Sequence, residues 1–349
     1  MRRLGITAAI VLIVGGAVKH ASRHAATGPA VGWGLNHQHA AEAMPSRKVS
    51  PAGRKLGSAS KQLPLGEGLA LPGTTSRPAD CAPFRLATFN IHSGKGLDGR
   101  RDLARTASLI EAVEPPLDFI ALNEVRGPQW LVDADQTAWL GRRLGMMWLA
   151  APAARTWYHC DSGNGLLSRH DARYWQRIPL PRRHDHSQRN AVLVELPWQG
   201  TNVRVLLTHI TRSDQRDRKR QLRTVIGLFL ALEEPAALVG DLNTTADDPL
   251  LSGLLEQPGV IDAVAAAGTA AENAAGTAAK ASRDRIDWII VRGLRVVDAA
   301  VVDNEVSDHP LVWAEVCVPA RPSGNELDDT RPARLIEAGW TIQQENSDG

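Results

Sequence analysis

Carboxylates, carboxamides and imidazoles recur along this chain directly after short apolar runs. Asn90 and His92 follow the run 84–89, Glu124 follows 117–122, and His209 ends 203–208. Asp241 and Asn243 follow 237–239, Asp287 sits at the head of an apolar run, and Asp308-His309 opens the last one. One polar residue at a strand end is an ordinary cap or turn former. Six such ends in one chain are a set that a rigid scaffold can gather at one place. Oxygen donors without thiolates favour a hard cation, Mg²⁺ or Mn²⁺, over zinc. Imidazoles and amides beside such a cation suit a reaction that builds negative charge on oxygen, as attack on a phosphodiester does. A carboxylate behind an imidazole raises its basicity and fixes its orientation.

Rival chemistries lack their residues. Ser93-Gly94-Lys95-Gly96 does not have the spacing of a nucleotide-phosphate loop. There is no Gly-x-Ser-x-Gly elbow for a serine nucleophile. The three cysteines form neither a Cys-x-x-Cys pair nor a zinc-like spacing with histidine.

The elements that must position these residues are legible as periodicity. Runs 84–89, 117–122, 191–196, 203–208, 237–239, 286–291, 296–302 and 311–318 are apolar or β-branched over strand lengths. Residues 102–113 place Leu103, Ala107, Ile110 and Val113 at helical spacing until Pro115-Pro116 stops them. A second amphipathic helix covers 214–232 and ends before Pro235. Many strands with few helices predict packed sheets covered by helices. Residues 269–282, rich in Ala, Gly and Thr, read as a surface loop.

The chain has 349 residues, 43% of them hydrophobic and 22% charged, enough for one large packed domain. The net charge of +2 hides an asymmetry: residues 1–80 carry ten bases against three acids, and the remaining 269 carry 30 bases and 35 acids. A mildly acidic body argues against tight nonspecific DNA binding. Arg2-Arg3 precede an uncharged stretch from residue 4 to 18, the pattern of a secretory signal and short for a membrane span. The expected organisation is a signal peptide or membrane anchor over 1–18, a flexible basic linker over 19–80, a catalytic domain over 81–320 and a polar tail over 321–349. The expected location is exported: periplasmic, secreted, or anchored to the inner membrane facing outward.

The strings Thr88-Phe89-Asn90-Ile91-His92, Ala121-Leu122-Asn123-Glu124-Val125, Leu207-Thr208-His209, Gly240-Asp241-Leu242-Asn243, Arg285-Ile286-Asp287-Trp288 and Ser307-Asp308-His309-Pro310 occur in the order of the endonuclease/exonuclease/phosphatase superfamily. The chain resembles that family from about residue 84 to 318. The opening Asn90 to Gly96 resembles its bacterial metal-dependent hydrolase branch. The resemblance implies an α/β fold: a four-layer α/β/β/α sandwich, two mostly antiparallel sheets packed face to face with helices outside. It implies a metal held by Glu124, with Asn90 beside it and Asp308 near it. Asp241 would orient or deprotonate the attacking water and Asn243 would hold a phosphate oxygen. Asp287 would fix His309, which contacts the scissile phosphate, and His209 would hydrogen-bond a phosphate oxygen. Asn123 departs from the family's usual Gln before the metal Glu, and residues 159–164 depart from its aromatic-rich version.

Where the family places the first and last strands side by side, antiparallel pairing would set Cys81 opposite Cys317 in a disulfide; the alternative is two buried thiols. The function implied is a metal-dependent phosphodiesterase, nuclease-like, working by in-line attack of water with Mg²⁺ or Mn²⁺. Alternatives are a phospholipid or sugar-phosphate phosphodiesterase or phosphatase at the membrane surface, and an inactive membrane-tethered binding module. Expected partners are a phosphodiester substrate, nucleic acid among the candidates, and a membrane reached through the N-terminal segment; no protein partner is expected. Two features stay open. The basic stretch 212–223 is either a solvated helix face or a rim facing phosphate, and His184-Asp185-His186 is either an exposed loop or a lip over the substrate.

Overall fold

Alternation along the strands decides which layer each side chain joins, because successive residues of a strand point to opposite faces. A computed structural model describes residues 27–29, 81–127, 135–154, 162–183, 188–271 and 284–319. Its strands are β1 (Thr27–Pro29), β2 (Cys81–Asn90), β3 (Phe119–Arg126), β4 (Met147–Ala154), β5 (Ser162–Ser168), β6 (Tyr174–Pro179) and β7 (Asn190–Trp198). They continue with β8 (Thr201–His209), β9 (Ala236–Asp241), β10 (Val260–Asp262), β11 (Asp287–Arg292), β12 (Arg295–Val302) and β13 (Leu311–Pro319). The helices are α1 (Leu103–Glu111), α2 (Gln136–Leu144), α3 (Gln215–Ala231), α4 (Pro249–Leu255) and α5 (Ala263–Ala271).

One sheet runs in the order β12-β13-β2-β3-β5-β4, the other β1-β6-β7-β8-β9-β11-β10. Pairing is antiparallel except between β2 and β3 and between β8 and β9. In β2, Phe84 and Leu86 face the second sheet and pack against Val192, Val194, Val205 and Val239. The intervening Ala87 and Phe89 face outward under α1 and α2, with Ala107, Ile110 and Leu140. On the opposite side Leu222, Val225 and Phe229 of α3 cover Leu193, Leu206 and Leu238. The protein is therefore the expected four-layer α/β/β/α sandwich. Truncating a fully buried Phe such as Phe84 costs about 3–5 kcal/mol, so the inter-sheet layer dominates stability.

The structure extends and corrects the sequence reading. Strands β5 and β6 come from segments without a clean apolar run, and β4 (MWLAAPAA) is apolar but carries a proline. Helix α5 takes residues 269–271 from the expected loop, because Ala-rich sequence has high helix propensity. Thr27–Pro29, inside the expected linker, pairs with β6 at the sheet edge, where unpaired donors and acceptors capture an extended segment. Cys317 is disulfide-bonded, but the register is two residues off the expected one. Cys317 faces Pro83, and Cys81 faces Pro319. Both cysteines lie at the strand ends away from Asn90 and Leu311. The segment 1–18, most of the linker, the tail 321–349, Cys160 and the His184–His186 cluster lie outside the described residues. Among the described residues no helix is long and apolar enough to cross a membrane.

Candidate active site

Asn90, Glu124, His209, Asp241, Asp287 and His309 converge at one end of the two sheets, because each ends or opens a strand that points there. Asp241 and Asp287 are direct partners across β9 and β11, and His209 is paired with Asp241 across β8 and β9. Glu124 lies where the β3–β5 pairing slips between Leu122 and Val125. This bulge puts it at φ +55°, a left-handed conformation that a Glu rarely adopts. His92, Ser93 and Asn243 share that region at φ 46°, 56° and 44°. Unfavourable backbone conformations are thus concentrated around these side chains, as at sites where geometry matters more than local stability.

Asn90 is the hub. Its Nδ2 donates to Asp241 Oδ2 at 3.1 Å and to Glu124 Oε1 at 3.4 Å, and it lies 3.5 Å from His309 Nε2. Glu124 is only half-buried, and among the described residues no Lys, Arg or His forms an ion pair with its carboxylate. A strained carboxylate outside any ion pair of the described residues, beside an amide and with no thiolate nearby, fits a hard divalent cation. Asp308, the third expected metal ligand, is not joined to Glu124; its Oδ1 sits 3.2 Å from His92 Nδ1 at a half-exposed position. Asp241, Asp287 and His309 also bring potential ligand atoms within 4.8 Å of one another. There, however, Asp287 Oδ2 already holds His309 Nδ1 at 2.7 Å, so this group is first an acid–imidazole pair.

Electrostatics sort the titratable groups. Burial, then the Asp287 charge, raises Asp241 to about 7, against donors from Asn243 and Asn90. Burial works against charge on His309, but the hydrogen bond and charge of Asp287, with Asp241 and Asp308, outweigh it and raise His309 to about 9. His209 moves the other way: burial, then the positive charges of Arg189 and His309, hold it well below its ordinary value, so it is neutral. Asn243 donates its backbone N–H to Asp241 Oδ1 at 2.8 Å and its amide to Ile210 O at 2.8 Å, which fixes the turn after β9.

Arg189 escaped the sequence reading. Its Nη1 lies 3.0 Å from His209 Nδ1. A guanidinium only donates, so Nδ1 must accept and the His209 proton sits on Nε2. That atom is 3.3 Å from Asp241 Oδ2. Burial lowers Arg189 from its ordinary value, while the charges of Glu124 and Asp241 oppose that. The signal was available: Arg189 immediately precedes the strand that pairs with β8, which makes it one more polar residue at a strand end.

A buried amide chain forms the floor. Asn123 Nδ2 donates to Asn164 Oδ1 at 2.9 Å and to Thr208 O at 3.1 Å, and its Oδ1 accepts from Asp241 N at 3.0 Å. Asn164 in turn donates to Asn190 Oδ1 at 2.8 Å. The shorter amide at 123 therefore ties β3 to both β8 and β9 and sets the backbone of Asp241. Gly240 completes the fit at φ +135°; a Cβ there would strike the carbonyl oxygen of Thr208.

Residues 87–309 match the family model described as Endonuclease/Exonuclease/phosphatase family. The chain belongs to that family. Among solved structures, an endonuclease/exonuclease/phosphatase from Beutenbergia cavernae DSM 12333 is 26% identical, with 69% of this chain and 73% of that one covered and a TM-score of 0.55. The human nocturnin catalytic domain with bound sulfate anion is 17% identical, covering 69% and 99%, at a TM-score of 0.51. D. rerio TDP2 complexed with single strand DNA product is 19% identical, covering 67% and 99%, at 0.50. No curated protein matches the sequence. Members of the family are typically phosphoester hydrolases that use a divalent metal.

Proposed function

We propose that this protein is a metal-dependent phosphodiesterase of nuclease-like type, with Mg²⁺ or Mn²⁺ as cofactor. The observation that carries this is the convergence of Glu124, Asn90, Asp241, His209 and the Asp287–His309 pair within hydrogen-bond reach at one pole of the sandwich. Glu124 and Asn90, with Asp308 nearby, would hold the cation, which when bound neutralises charge developing on the phosphoryl oxygens. Asp241, raised to about 7, is poised to take a proton from an attacking water at neutral pH, where base strength and ionised fraction are both useful. Its Oδ1 accepts the Asn243 N–H, and its Oδ2 faces Asn90 Nδ2 and His209 Nε2. His209 presents a fixed Nε2–H, and protonated His309 presents its own Nε2–H, as donors to phosphate oxygens. Asn243 orients the turn beside them. These residues include no activated nucleophilic side chain, so in-line attack of water without a covalent enzyme intermediate fits them.

Export through residues 1–18 is part of the same proposal and rests on sequence; the Cys317 disulfide supports it, since such bonds persist in oxidising compartments. The test is hydrolysis by the full chain of bis(p-nitrophenyl) phosphate, DNA and phospholipid vesicles with Mg²⁺, Mn²⁺ or EDTA. Turnover should need metal and fall by about 10²–10⁴ in Asp241→Asn, with Glu124→Gln losing the metal response. Activity confined to vesicles would favour the lipid alternative. A folded, metal-binding protein inert on all three would point to the binding module.

A further inference from the structure

The surface beside the site is charged in one pattern only. Helix α3 buries Asp217, Gln221, Leu222, Val225 and Phe229, while Arg216, Lys219, Arg220 and Arg223 are exposed. At about 100° per residue, those four cations fall in an arc of roughly 100° facing away from the core. Arg212, also exposed, adds a fifth between His209 and the helix. Among the described residues none of these five side chains makes an ion pair or a side-chain hydrogen bond.

The acids that should balance them are engaged elsewhere. Asp214 caps the helix, accepting from Asp217 N at 2.8 Å, and buried Asp217 accepts from Arg183 N at 3.1 Å. A helix face serving only solubility needs no such sorting of acids inward and bases outward.

The ridge is also fastened to the site. Ile210 donates its N–H to Asp241 O at 3.0 Å, and Thr211 donates its N–H to Gln221 Oε1 at 2.9 Å. Gln221 then donates to Pro181 O at 3.1 Å. The cations therefore start within three residues of His209 and continue along α3 without a flexible joint.

We infer that this ridge binds the sugar–phosphate backbone of a nucleic-acid strand leading away from the scissile phosphate. The inference deepens the phosphodiesterase reading and rests on it. From Arg216 to Arg223 the helix advances about 10 Å, the axial length of about three phosphates on one strand of a duplex. Arginine predominates on the ridge, and its fork suits phosphate oxygens. The exposed large hydrophobics among the described residues are Leu97 and Leu230; Leu230 shares the cations' face of α3 two turns beyond Arg223, so one apolar side chain, not a stripe, accompanies the ridge. A helix that lies on a membrane needs apolar side chains beside its basic ones. The ridge also lacks an aromatic side chain for base stacking, so it reads backbone, independent of sequence.

The test uses the full chain, a fluorescent single-stranded DNA oligonucleotide and EDTA to prevent turnover, with binding followed by anisotropy against salt. In Arg216→Gln/Arg220→Gln/Arg223→Gln the slope of log K against log salt should shrink by about 2, and affinity at 0.1 M salt should drop about a hundredfold. Arg216→Lys/Arg220→Lys/Arg223→Lys should keep most of the slope, which a structural role for arginine would not allow. Circular dichroism melting controls for folding, and these exposed substitutions should leave it unchanged. Affinity within twofold and an unchanged slope in the Gln variant overturn the inference. So does loss of binding to phosphatidylglycerol vesicles with oligonucleotide binding intact. Wild-type turnover of bis(p-nitrophenyl) phosphate is read separately: its absence sinks the site reading, while oligonucleotide binding still judges the ridge.

Discussion

Replacing Arg189 with Met should separate activity from stability. The Arg189 Nη1–His209 Nδ1 contact of 3.0 Å is the restraint that puts the His209 proton on Nε2. A hydrogen bond to a charged group contributes about 1.5–3 kcal/mol, and 1.4 kcal/mol is a factor of ten, so loss of the restraint should lower kcat about 10–150-fold. Meanwhile Arg189 is largely buried, and its Nε has no hydrogen-bond partner. Burial disfavours the Arg189 charge more than Glu124 and Asp241 favour it, so an apolar side chain of similar volume removes a net desolvation cost. The melting temperature of Arg189→Met should therefore hold or rise while turnover falls. Removing the positive charge also lets the His209 pKa climb towards its ordinary value, so an acid limb should enter the pH–rate profile. Long-range ¹H–¹⁵N spectra of the His209 ring report the tautomer directly. Arg189→Met with an unchanged tautomer and a rate within twofold of wild type would refute the reasoning.

Above about pH 6.5 the metal-free protein should lose stability as pH rises. Asp241, raised from 3.8 to about 7, holds its proton more tightly when folded, so its contribution is present at low pH and is lost between about 4 and 7. His309, raised from 6.5 to about 9, contributes fully below 6.5 and loses that contribution by about 9; neutral His209 works the other way below 6.5, so melting in EDTA from pH 6.5 to 9 is the check, and a curve that rises across that window would contradict the reasoning. Gly240→Ala should destabilise the fold by at least about 2 kcal/mol, because its Cβ meets the Thr208 carbonyl and its φ of +135° is one that L residues avoid; urea unfolding measures it. Oxidised native protein should contain one free thiol of the three cysteines, and Cys81→Ser should cost about 2–4 kcal/mol without slowing turnover; three free thiols would rule out the bond.

Most of what positions the site was legible because it is periodic or local. Asn90, Glu124, His209, Asp241, Asp287 and Asp308-His309 stand at the ends of apolar runs, and a run of β-branched residues betrays its strand. Strand β5 (SGNGLLS) has no such run. It is extended because β3 and β4 pair with it on either side and Gly165 leaves room for Thr137, facts about neighbours that no local pattern carries. Pro152 interrupts β4 in the same way. Arg189 was missed because a single cation gains meaning only from what faces it across β7 and β8. The cysteine register erred by two residues for a related reason: nine residues back from Asn90 against eight on from His309 is already one short, and the register, with Leu311 on Phe89, puts position 310 rather than His309 opposite Asn90.

The amide of Asn123 has a kinetic consequence. Its three bonds reach Asn164 in its own sheet and Thr208 and Asp241 in the other, so neither sheet alone contains a finished site. A refolding chain could complete its strands and cover them with helices and still be inert until the two sheets dock in register. Return of turnover after dilution from denaturant should therefore lag behind the return of strand signal, making enzyme activity a clock for the last step of folding.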